Sequence, residues 1–115
     1  MRVLIDANVL YPTVLREIVT GVAAAGVFTP LWSARILEEW ALAARRLDPG
    51  QEVVARGEIA LLNARWPEAE VTAAETAGLY LPDPDDIHVL AAAKAGGAEV
   101  ILTQNMKDFP RRELE

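Results

Sequence analysis

Apolar positions along the chain fall into short continuous runs separated by longer stretches in which they recur every three or four residues, the pattern of buried strands alternating with helices. Residues 2–6 (RVLID) form the first run, rich in aliphatic side chains and ended by an acid, and predict a buried parallel strand. Asn8 and Pro12 break it. Over residues 13–25 the positions Val14, Leu15, Ile18, Val19 and Val22 recur at helical spacing, and Gly26 supplies the stop. Residues 27–31 read as a second strand with Pro30 near its end, since proline cannot donate to a sheet ladder. Ser33 is a good N-cap for a helix to Leu47, whose inward stripe is Ile36, Leu37, Trp40, Ala41, Ala44 and Leu47; the turn Asp48-Pro49-Gly50 closes it. A third helix over 52–65 ends before Pro67, and a short strand is expected at 70–72 with a turn of helix after it.

The chain turns on residues 81–110. An acidic turn (Asp83, Asp85, Asp86) precedes an apolar helix, Gly96-Gly97 stops it, a buried strand (Val100, Ile101, Leu102) follows, and a polar loop from Thr103 to Asp108 closes the unit. Strand and helix alternate throughout, so the expected fold is α/β: a mostly parallel sheet of about four strands, helices on both faces, right-handed crossovers. In such sheets helix N-termini and strand C-termini share one edge, where ligands bind.

At 115 residues this is expected to be a single domain spanning 1–115. The absence of cysteine removes disulfides and thiolate metal sites and is compatible with a cytoplasmic home. No apolar run reaches the length of a membrane span, and the N-terminus does not resemble a signal peptide. The net charge of −6 argues against a broad basic surface for nucleic acid, but not against an enzyme whose metal ions offset local carboxylates.

Among the acids, Asp83 and Asp85 suit helix capping, with Pro84 at the first helical position. Asp86 lies in line with Leu90 and Ala93, on the stripe that faces the sheet, where a carboxylate is costly unless a cation or hydrogen-bond donors meet it. Asp6, at the end of the first strand, either caps the following turn through Asn8 or faces Asp86; a bound cation would relieve the repulsion between the two. Glu38 and Glu39 flank the stripe of their helix on opposite sides, and helical geometry does not choose between them. Thr103 can cap a turn or touch substrate. Asn105 can ligate a metal or make the turn, and Asp108 can ligate or pair with Arg111 or Arg112. His88 falls on the far side of the wheel from Leu90 and is given no catalytic role. Arg16, Arg35, Arg45, Arg46, Lys94 and Lys107 are candidate phosphate contacts. Oxygen ligands without cysteine favour a hard cation, Mg²⁺ or Mn²⁺, and suit phosphodiester hydrolysis.

The segments LIDANVL (4–10), SARILEEW (33–40), LPDPDDIHVLAAA (81–93) and ILTQNMKDFP (101–110) resemble, in order and spacing, the PIN domain, the nuclease fold of VapC-type toxins of toxin–antitoxin pairs. The resemblance covers nearly the whole chain. It implies an acidic pocket holding Mg²⁺ or Mn²⁺, single-strand-directed ribonuclease activity, a cognate antitoxin and a homodimer. Carried over by position, Asp6, Glu39 and Asp86 match the first three acids. Asn105 stands at the fourth, where many members have Asp, with Asp108 as the alternative source of charge. Thr103 matches a hydroxyl at the pocket rim; Asn8 and Lys107 join it as expected substrate contacts. The Asn at the fourth position puts a second metal in doubt, and the final edge strand of many members is not seen in the sequence. Two other readings stand beside the nuclease: a PIN-like protein that only binds metal, RNA or a partner, and a receiver-like domain with Asp6 as phosphoacceptor and Thr103 and Lys107 as switch residues.

Overall fold

The first apolar run becomes the middle of the sheet. In the computed structural model, which describes residues 1–72 and 87–104, β1 (Arg2–Ile5) lies between β2 (Thr29–Ser33) and β4 (Val100–Leu102), with the short β3 (Glu70–Val71) beyond β2. The order is β3-β2-β1-β4 and every pairing is parallel. Val3, Leu4 and Ile5 are all buried, as a strand covered on both faces requires.

Among the described residues five helices accompany the strands: α1 (Ala7–Leu10), α2 (Thr13–Ala24), α3 (Ala34–Leu47), α4 (Pro49–Arg65) and α5 (Ile87–Gly96). The steps β1 to β2 to β3 run one way across the sheet, and the step to β4 returns past β2 and β1. Right-handed crossovers therefore place α1–α4 on one face and α5 on the other. Packing agrees: α3 lies against α1 and α4, and α5 against the strands. The α/β fold expected from the alternation is the fold observed.

Several local expectations are corrected. Residues 7–10, read as the break after β1, form the helical turn α1, which Asp6 caps by accepting the Ala7 N–H. The second strand starts two residues later than expected, and Pro30 is its second residue. The amide of Thr29 donates towards β1, to Met1 O, and that of Trp32 towards β3, to Ala69 O. Pro30 thus faces the β3 side one step before β3 begins, where a missing N–H costs nothing. Asp48-Pro49-Gly50 is not a free turn: extended Asp48 ends α3, and Pro49 is the first residue of α4. Leu47, placed in the inward stripe of α3, is 73% exposed; Ile36, Leu37, Trp40, Ala41 and Ala44 are buried as expected.

Two adjacent glycines at the end of α5 do different things. Gly97 has φ +67° and turns the chain out of the helix. Gly96 lets the helix approach the sheet: a Cβ there would sit 2.8 Å from Val71 Cγ1 and 3.0 Å from Leu31 Cδ1. At the other end of β2 the buried Trp32 donates its indole N–H to Asn63 Oδ1 at 3.0 Å and meets Trp66 edge-on at 6.2 Å. None of the helices among the described residues is long and apolar enough to cross a membrane.

Candidate active site

The register of β1 against β4 builds the centre of the site. Ile5 pairs with Leu102, so the residues that follow, Asp6 and Thr103, leave the sheet side by side at its carboxyl edge. The Asp6 amide donates to Leu102 O at 3.0 Å. Its carboxylate accepts from Ala7 N at 2.7 Å through Oδ1 and from the Thr103 hydroxyl at 2.9 Å through Oδ2. Asn8 ties the two strand ends further: its Nδ2 donates to Thr103 Oγ1 at 3.2 Å, and its Oδ1 accepts from the Gln104 amide at 3.0 Å.

Asp6 is 5% exposed. Burial pushes its carboxyl above the ordinary aspartate value; the Thr103 O–H and Ala7 N–H pull against that shift, and Glu39 adds repulsion that pushes the same way as burial. Asp6 thus caps the turn that follows it, with Glu39 opposing its charge; Asp86, the other partner expected for it, lies outside the described residues.

The structure separates the two glutamates of α3. Ser33 Oγ accepts from Ile36 N at 3.1 Å and sets the start of the helix. Glu38 points outward and is gripped by Arg56 through both oxygens, at 2.9 and 3.0 Å, which holds its carboxyl below the usual glutamate value. Arg56 also takes Glu52 at 2.7 Å. Glu39 turns the other way and lines the same cleft as Asp6. That cleft, about 350 Å³, is bounded by Asp6, Ala7, Asn8, Tyr11, Glu39, Trp40, Ala43 and Arg46.

His88 is where the helical-wheel expectation fails. The ring does not point away from the core: it is 8% exposed, and Nε2 lies 3.1 Å from Glu39 Oε2. Residues 88–93 of α5 are all buried, so the helix has no polar side over that stretch. The signal was in the sequence: Val89 to Ala93 is apolar all round, and a helix of that kind is enclosed on every face.

Of the candidate cations, Arg46 lines the cleft. Arg16 is engaged elsewhere, donating to Leu10 O and Tyr11 O with its guanidinium 4.9 Å from the Trp40 ring centre. Arg45 leans towards Glu52 at 3.8 Å. Asp83, Asp85, Asp86, Asn105, Lys107 and Asp108 lie outside the described residues, as does the turn of helix expected after β3.

Among the described residues, no three acid or histidine side chains gather as a metal-holding group. The donors that are described fit a hard cation in kind: a buried carboxylate raised by burial and a second carboxylate in the same cleft whose charge opposes it.

Asp6 and Glu39 thus line one cleft at the carboxyl edge of a parallel α/β sheet, the edge at which ligands bind in such folds. The model of the PIN domain family matches residues 2–107, nearly the whole chain, and the protein belongs to that family. PIN domains are generally nucleases, and nucleases of this family generally use divalent metals. Neither the comparison with curated proteins nor that with solved structures gave a match.

Proposed function

We propose that this PIN domain is a metal-dependent endoribonuclease, the VapC-type toxin of a cytoplasmic toxin–antitoxin pair, neutralised by a small antitoxin protein and working as a homodimer. The observation that carries the nuclease reading is the buried Asp6 carboxylate, held by Ala7 and Thr103 and repelled by Glu39 across one cleft. A fixed anion pair in a partly dry site costs stability, and a divalent cation offsets that cost. RNA over DNA, the antitoxin and the dimer rest on the resemblance to VapC-type toxins.

Asp6, Glu39 and Asp86 would hold Mg²⁺ or Mn²⁺, with Asn105 or Asp108 as a fourth ligand. When bound, the cation supplies an activated water and neutralises charge on the phosphodiester. The chain supplies the rest. Thr103 and Asn8, expected from the sequence to touch substrate, hold Asp6 and the end of β4 in place. Arg46, at the cleft wall, meets a phosphate of the RNA, with Lys107 as a second contact. Tyr11, half-buried beside Asn8, offers a face for a base. The receiver-like reading needs a phosphoacceptor beside an acidic pair at the strand ends, and the acidic turn of this chain instead precedes a helix in the sequence.

The test is cleavage of a labelled panel of single-stranded RNAs, with DNA controls, in Mg²⁺ or Mn²⁺. The parent is run beside an Asp6→Asn/Asp86→Asn double variant shown to be folded by circular dichroism. Cleavage by the parent alone is expected. No cleavage by either protein, with no metal binding in a titration, would sink the nuclease reading and leave a binding protein.

A further inference from the structure

We infer that His88 is a positioning residue that fixes the Glu39 carboxylate in the cleft, reaching it from the opposite side of the sheet; this rests on the metal-site reading above. His88 is the lone histidine of the chain. It stands at the start of α5, while Glu39 stands on α3, on the other face. At the carboxyl edge of the sheet His88 Nε2 meets Glu39 Oε2 at 3.1 Å.

Three features separate this contact from ordinary packing. First, the imidazole is a poor way to fill its space. Its Nδ1 is buried with no hydrogen-bond partner among the described residues, and an unmet buried polar atom is destabilising. Its neighbours Val89 to Ala93 show that the helix otherwise uses apolar side chains there, so stability alone favours leucine. Second, Glu39 needs a tether. Its side chain is 38% exposed and is repelled by Asp6, so it would swing towards solvent if released. Third, the bond leaves the right atoms for a cation. An ionised carboxylate only accepts, so the ring proton sits on Nε2. One Glu39 oxygen is then held, and Oε1 has no hydrogen-bond partner among the described residues.

His88 also follows Asp86 by two positions, on the segment that leads into α5. Partners that orient ligating carboxylates typically change metal affinity by about 10- to 100-fold when removed.

The experiment is a Mn²⁺ titration of the whole chain, parent against His88→Leu and His88→Gln, with thermal unfolding in EDTA. The Leu variant is expected to unfold at or above the parent's temperature and to bind Mn²⁺ about 10- to 100-fold more weakly. The Gln variant, whose amide nitrogen can reach the same oxygen, is expected to recover most of the affinity. If the Leu variant fails to fold, His88→Asn replaces it, since that shorter amide stops short of Glu39. Equal Mn²⁺ affinity in the parent and the Leu variant, or the Asn variant where it stands in, overturns the inference, as does a Gln variant that binds no better than the Leu one. Absence of Mn²⁺ binding by the parent overturns the metal-site reading instead. The tether is then judged from the imidazole ¹⁵N spectrum of the metal-free protein: a His88 Nε2 resonance unmoved by Glu39→Gln overturns it.

Discussion

Replacing Thr103 with valine keeps the shape of the side chain and removes one hydroxyl. That hydroxyl donates to Asp6 Oδ2 at 2.9 Å and accepts from Asn8 Nδ2 at 3.2 Å. Asn8 is half-buried and can turn to water; Asp6 is buried and cannot. A hydrogen bond to an ionised group contributes about 1.5–3 kcal/mol, so the metal-free variant should lose about 2 kcal/mol at neutral to alkaline pH. In a domain of this size that is roughly 8 °C in melting temperature. The sign of the pH dependence follows from Asp6. Burial first, then Glu39, raises its carboxyl above the unfolded value, so the folded protein binds that proton more readily than the unfolded chain does. Its contribution to stability is greatest below the unfolded pKa and is lost as pH rises through the folded one. The Thr103 bond is the largest effect pulling the carboxyl down, so its removal lifts the group further and steepens the loss. Urea unfolding in EDTA at a pH below the ordinary aspartate value of about 3.9 and at about pH 8 measures both ends. The variant should lie near the parent at the acid end, where Asp6 is protonated, and well below it at the alkaline end. A difference that is the same at both, or absent at the alkaline one, would refute the claim that Thr103 stabilises an ionised Asp6.

Gly96→Ala should cost about 1–3 kcal/mol in thermal or urea unfolding, because its Cβ would press on Val71 and Leu31 and push α5 off the sheet. Arg46→Ala should leave the fold intact, weaken RNA binding several-fold, and lower the slope of log affinity against log salt by about one, read from binding measured over a series of salt concentrations.

How much of this was legible beforehand depends on whether a residue's surroundings were local. Ser33 and the stripe from Ile36 to Ala44 follow from one helix's own spacing, and the structure has them as read. So do β1, β4 and the close of α5 at the two glycines. Asp48-Pro49 was misjudged because the same pair that makes a turn also opens a helix, and nothing nearby distinguishes the two. The strand through Pro30 was displaced because proline's tolerance there depends on where β3 starts, some forty residues on. Choosing Glu39 over Glu38 from the residues alone was out of reach for a similar reason. The difference lies in Arg56 on the next helix and in Asp6 on another strand. His88 was read from a wheel that assumes one wet face, and α5 has none over residues 88–93.

Asp6 and Thr103 are separated by 97 residues of chain, yet they share one hydrogen bond at the middle of the sheet. Among the described strands the central one is made first and one of its two neighbours, β4, is made last. At typical rates of translation that interval is about 5 to 20 s. Throughout it a nascent chain carries Asp6 without the hydroxyl that steadies it. The hydrogen-bonded strand ends at the carboxyl edge are thus completed only once β4 exists, however early Asp6 itself appears.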